Sequence, residues 1–463
     1  MVAGSTVVVS ILGLYISGVP FVGAMGLASA IVVAVTMLTA LTLVPAFLGT
    51  AKSNVRSLGA RWRARKAGLS AREEARLTAA TTHEHHEQGG FARWGRRVSR
   101  QPWVWGIASV VVLVVLAIPL FSLRLGQLDA GTNPTTDSSR RAYDLISEGF
   151  GPGANGPVTV VVKLPDQSST DNTNLLNSLQ TTLAKTPDVA SVTPPSVNSA
   201  GTVAVLNVVP SSAPQDSATT NLVNDLRDNV LPPVHATTYL TGTTAGSVDF
   251  TEQIASRMIW LIVVVVAIAF VLLTIAFRSV IIPVKASILN LLSVGAAYGV
   301  IVAVFEWGWG SSAFGIGEKL PIPAYVPMMV FAIVFGLSMD YEVFLLSRVH
   351  ESWLVLRDAH RAVAVGIGAT ARVITTAAAI MVVVFASFLL DPDPSVKMLA
   401  LGMAVAVLID ATIVRMMLVP SVMSILGERA WWMPAWLDRI TPKIQLEGGE
   451  PAEPEPEPAG PLR

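Results

Sequence analysis

The sequence predicts a polytopic α-helical membrane protein of about eight transmembrane helices, with one extracytoplasmic α+β domain of ferredoxin-like, porter type. Three observations carry this. Of 463 residues, 52% are hydrophobic and only 14% charged, with a mean hydropathy of +0.57, whereas soluble domains carry about 25% charged residues. Eight apolar segments come close to the roughly 20 residues that span a bilayer. They fall at approximately 2–18, 21–48, 103–121, 258–277, 281–304, 325–348, 372–390 and 396–426. One long polar stretch, 122–257, alternates strand-like and helix-like patterns.

The first segment is the weakest, because Met1 cuts it short. With the second it forms a two-helix unit over 1–50. A basic loop follows over 51–102. Within 51–100 it holds twelve Lys and Arg against four Glu, and it reads as a partly helical membrane-surface segment. The connection at 349–371 carries Arg357 and Arg361, flanked by Arg348 and Arg372. Excess Lys and Arg mark cytoplasmic loops, so both loops are expected inside. The loops at Asp391 and at Glu306–Lys319 lack that excess and fall outside. Both termini are then cytoplasmic, in a cell (plasma) membrane.

After the span at 103–121, the 122–257 domain reads as strand 158–164, helix 174–186, a weak strand at VASVTP, strand 204–210, helix 218–231 and strand 237–242. The order β-α-β-β-α-β suggests the ferredoxin-like split fold. Five spans follow over 258–427. The first, MIWLIVVVVAIAFVLLTIAF, is the clearest, with no charge and no helix breaker. The tail, 428–463, is cytoplasmic. From about 447 it is acidic and proline-rich and is expected to be disordered. LTLVPAFLG (41–49) resembles MLVPSVMSILG (417–427), each closing a long apolar helix. Such a repeat is a transporter architecture.

The absence of cysteine excludes disulfides, thiol catalysis and cysteine-held metals. No basic segment precedes the first apolar run, so no cleavable signal peptide is expected. The formal net charge of zero says little. HEHH (83–86) in a basic, Gly-flanked loop reads as a solvated linker, and GPGANGP (151–157), which precedes a strand, as a turn. Neither metal nor cofactor is expected, nor a nucleic-acid partner, and no hydrolase-type constellation stands out.

The chemistry concentrates in FAIVFGLSMDYEVFLLSR (331–348). An Asp at the centre of a span costs roughly 2.5–3.5 kcal/mol on insertion scales, so such a residue usually faces a partner or a wet cavity. A carboxyl in low dielectric holds a proton more tightly, which suits a group that loads and releases one. Asp340 is therefore the candidate proton carrier, with Tyr341 beside it. A helix-end carboxylate among headgroups is the plain alternative. Glu342 lies nearer Arg348 and is able to snorkel, so a direct role is the lesser of its two readings. Asp410 and Arg415, five apart, read as a charge pair or as snorkelling groups that fix helix packing. Asn290, Ser293 and Tyr298 are polar positions on an apolar helix. Asn290 and Ser293 share a face, and packing is favoured over a relay role. Ser5 and Thr375 are similar and weaker.

GLSMDYEVFLLSRVHE (336–351) resembles the Asp-Tyr helix of the MMPL family, a branch of the resistance–nodulation–division (RND) superfamily. PVKASILNLLSVGAAYGVIVAVFEWG (283–308), ATARVITTAAAIMVVVFASF (369–388), KMLALGMAVAVLIDATIVRMMLVPSVMSILG (397–427) and WWMPAWLDRI (431–440) resemble its neighbouring helices and their exit. The resemblance covers nearly all of 1–441. It implies a twelve-span plan with two porter domains and proton-driven export of lipids or other hydrophobic molecules. It matches Asp340 and Tyr341 to the proton-relay pair of the tenth span. It implies that the first four spans and first porter domain are absent, through an internal or misassigned start or a split gene. The expectation is part of a complete pump that works with membrane lipids, a lipid-like substrate and protons. The missing spans would come from a separate chain, or the chain would form a homo-oligomer. The alternative is a non-pumping lipid-binding or scaffold membrane protein, or an inactive fragment, since 258–426 also resembles a sterol-sensing arrangement.

Overall fold

The computed structural model describes residues 2–51, 90–165, 169–316 and 318–441. The HEHH stretch and the acidic tail lie outside them. Among the described residues, seven helices are long and apolar enough to cross a membrane. They include α2 (Pro20–Ala51), α4 (Pro102–Ala117, prolonged by a 3-10 turn to Ser122), α8 (Thr243–Phe277), α9 (Ile281–Phe305), α10 (Tyr325–Leu356) and α11 (Ala359–Ser387). The seventh runs over Pro394–Trp431 and begins as α12 (Pro394–Ile409). The expected first span forms a shorter helix, α1 (Val2–Leu12), continued by a 3-10 turn to Ser17. The eight apolar segments therefore yield seven full-length helices and one short one.

Burial sorts these helices into an inner and an outer set. Two-thirds of the most apolar window is buried in α9, α10 and the last span, against 6% in α2 and 11% in α11. Lipid tails drive helices together no more than a neighbouring leucine does, so close packing must supply the contact energy. Small residues provide it. A Cβ on Gly336 of α10 would lie 3.0 Å from the Val7 Cα of α1, and one on Gly299 of α9 would lie 1.9 Å from the Leu116 carbonyl oxygen of α4. These two glycines let neighbouring backbones approach where any side chain would separate them.

The polar stretch folds as expected, with extensions. An additional helix, α5 (Ser138–Phe150), precedes strand β2 (Val158–Lys163). Helix α6 (Ser169–Lys185), β3 (Val189–Val192), the short β4 (Ser196–Val197), β5 (Val203–Pro210), α7 (Ser217–Asp225) and β6 (Thr237–Thr241) follow. The main strands lie in the order β3-β5-β2-β6, each pair antiparallel. That is the split βαβ arrangement. Strand β5 alternates buried and half-buried residues, as a period of two requires of a half-covered sheet. Val160, Val162, Leu206 and Val208 pack beneath Leu176, Leu179 and Leu183 of α6 and Leu222 of α7.

Two rigid connections join this domain to the spans. Helix α8 starts inside it, with Ala245 and Val248 in the domain core, and runs unbroken to Phe277. At 1.5 Å per residue its 35 residues reach about 50 Å. Strand β1 (Leu125–Gly126), after α4, pairs in parallel with β7 (Ile322–Pro323), which leads directly into α10.

Candidate functional site: a polar network inside the apolar core

Asp340 is the sixteenth of the 32 residues of α10, the middle of the helix. Its Oδ1 accepts a hydrogen bond from Thr6 Oγ1 of α1 at 3.1 Å. The Gly336 contact makes this reach possible by letting α1 lie flat against α10, and Ser10 Oγ donates to the Ala332 carbonyl at 2.7 Å in the same seam. Among the described residues Asp340 forms no ion pair. Tyr341, about 100° around the helix, turns to another neighbour and donates to Met381 Sδ of α11 at 3.4 Å. The two residues of the Asp-Tyr pair thus address different helices.

On the far side of α10 lies a connected set of charges. Glu342 does not take the snorkelling option that its place near Arg348 offers. It is 1% exposed and meets Lys285 Nζ of α9 at 2.9 Å. The reason is geometric: its side chain projects between α9 and α10, where Lys285 offers the opposite charge closer than any headgroup. Asn290 Nδ2 donates to the other Glu342 oxygen at 3.5 Å. Ser338 Oγ lies 2.8 Å from Asn290 Oδ1 and 3.0 Å from Asp410 Oδ1, so its single proton is shared between two acceptors. Asp410 and Arg415 pair at 3.2 Å through Nε, and Arg415 Nη2 also donates to the carbonyl and hydroxyl of Ser338. Arg415 is fully buried, and its Nη1 has no partner. Two ion pairs, each internally neutral, are thereby joined through Asn290 and Ser338.

The Asp410–Arg415 pair depends on a local departure from the α-helix. Five residues on an α-helix subtend about 140° net, which puts the two side chains on different faces. Asp410–Leu418 is instead a π-helix, in which Val419 N–H bonds the carbonyl of Val414, five residues back. A π turn brings positions five apart into line. The departure precedes Pro420, which lacks the N–H that an α-helix would offer to the Met416 carbonyl. Trp94 Nε1 donates to that carbonyl at 2.9 Å, as a backbone group inside lipid requires. Trp94 belongs to α3 (Gly90–Arg100), the helical part of the basic loop, and its ring sits edge-on to Trp105 of α4 at 5.0 Å.

The other polar positions are placed as follows. Asn290 enters the network, whereas Ser293 Oγ is buried without a partner. Tyr298 donates to the Pro327 carbonyl at the start of α10. Thr375 bonds back to its own helix at Ala371. The side chain of Ser5 lies outside the described set. Sequence reasoning did not single out Lys285, Ser338 or Thr6. Lys285 carried a usable signal, a charge inside an apolar segment. The two hydroxyls carried none, since Ser and Thr are common in spans.

Comparison with known proteins follows the same lines. The model of the MMPL family matches residues 1–105 and 132–445. Membrane protein YdfJ of Bacillus subtilis is 35% identical over 446 residues, covering 96% of this chain and 58% of that protein. The mycolic acid-containing lipids exporter MmpL11 of Mycolicibacterium smegmatis is 36% identical over 451 residues, covering 96% of this chain and 46% of that protein. The chain thus spans about half the length of these relatives. In fold it is similar to the hedgehog release protein Disp of the water bear Hypsibius dujardini, with a TM-score of 0.56 at 11% identity over 92% of this chain and 58% of that one.

Proposed function

Because the chain belongs to the MMPL family, we propose that it is part of a proton-driven exporter of lipid-like or amphiphilic molecules in the plasma membrane. The observation that carries the reading is Asp340, a half-buried carboxylate in the middle of an inner helix that meets a hydroxyl and, among the described residues, forms no ion pair. The buried charges balance one another as Lys285–Glu342 and Asp410–Arg415. Taking up a proton removes a charge from low dielectric. It also changes hydrogen-bond polarity. The ionised carboxylate only accepts, from Thr6, whereas the protonated carboxyl can donate. The α1–α10 seam at Gly336 is thereby biased between two packings.

The rest of the fold gives that bias somewhere to go. Helix α10 is joined through β7 and β1 to the root of the α+β domain, and α8 enters the domain without a break. The membrane potential supplies about 2.3 kcal/mol per charge per 100 mV. The arginines of α3 and of the α10–α11 turn lie at the ends of the spans opposite the α+β domain. The basic excess supports a cytoplasmic placement of that side and an extracytoplasmic one of the domain. A relative named as a lipid exporter supports the substrate class.

The test is Asp340→Asn in the full-length assembly, reconstituted in liposomes with an imposed proton gradient. Export of a fluorescent lipid should fall to the background seen without a gradient. Undiminished gradient-driven export refutes the proton role and leaves the lipid-binding scaffold.

A further inference from the structure

A cavity of about 640 Å³ opens between α3 and α11, on the side of the spans away from the α+β domain. Its lining includes Arg96, Ser99 and Arg100 of α3 and His360 and Arg361 of the first turn of α11. Arg93 and Arg97 extend the basic surface into an adjoining cavity. The floor is apolar, from Ala92, Ala364 and Val365. Ser99 is 4% exposed and its Oγ has no hydrogen-bond partner, an arrangement that costs free energy unless a ligand or water completes it.

The site is built on a close helix contact. A Cβ on Gly95 would lie 3.1 Å from the Ala364 Cα, so α3 lies directly on the backbone of α11. Ala92, Gly95, Val98 and Ser99 face inward, while Arg93, Arg96, Arg97 and Arg100 face solvent. Helix α3 itself contains no acidic residue. The N-terminus of α11 is occupied by its own cap, Asp358, whose Oδ1 accepts from the Arg361 N–H at 3.1 Å. The cavity sits where a surface helix turns at Pro102 into a span, with exposed Trp103 alongside, a residue type that favours the headgroup level.

We propose that this cavity binds the phosphate of an anionic phospholipid, held by Ser99 Oγ and the guanidinium groups of Arg100 and Arg361, with the acyl chains on the neighbouring apolar faces. Guanidinium forks and a hydroxyl donor are the chemistry that recognises phosphate. The apolar floor and the position at the membrane boundary favour a lipid over free phosphate. Because Trp94 of the same helix holds the Met416 carbonyl, the bound lipid would brace the π segment that carries Asp410 and Arg415. The site does not involve Asp340.

The test uses the full chain in detergent, with lipid retention read by native mass spectrometry and thermal midpoints read alongside. Dioleoyl phosphatidylglycerol should be retained in preference to dioleoyl phosphatidylcholine. Arg100→Gln and Arg361→Gln should each weaken retention about fivefold, and the double variant about 30-fold. Ser99→Ala removes a hydroxyl without a partner, so its midpoint in detergent alone should not fall, yet its phosphatidylglycerol-induced rise should shrink. Asp340→Asn should retain the lipid as wild type does, which separates this site from the proton role. Equal retention of the two lipids, or arginine variants that retain phosphatidylglycerol unchanged, overturns the proposal. A thermal shift from inorganic phosphate equal to that from phosphatidylglycerol overturns the lipid assignment.

Discussion

Lys285→Met is the perturbation that most directly probes the intramembrane network. It removes the cation 2.9 Å from Glu342, a side chain 1% exposed whose other polar neighbour, Asn290, is 3.5 Å away. Leaving one member of a buried pair uncompensated costs about 3–5 kcal/mol. The reverse change, Glu342→Gln, should be milder. Lys285 is only the fifth residue of α9, near enough to the helix start for its long stem to carry the ammonium outward. The double variant Lys285→Met/Glu342→Gln removes both charges and should recover most of the loss. The assay is the thermal midpoint of detergent-solubilised protein, followed by size-exclusion recovery, for the four members of the cycle. The expected order is wild type, then the double variant, then Glu342→Gln, then Lys285→Met. A double variant as unstable as the sum of the singles would show that the two side chains do not interact.

Gly336→Ala should force α1 from α10, because its Cβ would stand 3.0 Å from the Val7 Cα and 3.2 Å from the Ser10 Cβ. Overpacking of this kind costs about 1–3 kcal/mol, and gradient-driven export should drop with the thermal midpoint as the Thr6–Asp340 bond lengthens. Trp94→Phe keeps the ring but removes the donor to the Met416 carbonyl. It should lower stability by about 1–3 kcal/mol, the cost of a buried acceptor left without its partner. A Trp94→Phe midpoint equal to wild type would show that water takes the place of the indole.

Much of the architecture was legible because it rests on local sums. Twenty apolar residues in a row specify a span wherever they occur, and alternating valines at Val158, Val160 and Val162 specify a half-buried strand. The split βαβ order followed from the same periodicities, and β3-β5-β2-β6 is the sheet that such an order makes. Helix α5 was not anticipated, although Leu145, Ile146 and Phe150 give it an apolar stripe; that stripe stays exposed and the helix buries none of its residues. The first span fell short because a 3-10 turn ending at Gly18, with φ of 67°, closes it at Ser17.

The site divides in the same way. That charges sit inside the spans is a property of the chain: Asp340, Glu342, Asp410 and Arg415 stand out in any reading of their apolar surroundings. Which of them are balanced is not. Glu342 found Lys285 from a helix 57 residues earlier, Asp410 found Arg415 only because the backbone widens into a π turn, and Asp340 was left with a hydroxyl 334 residues away. Hydropathy adds along the sequence, whereas charge compensation depends on the register between helices and on the pitch within one. Composition and periodicity determined the spans and the sheet, and helix packing alone decided which carboxylates are paired among the described residues.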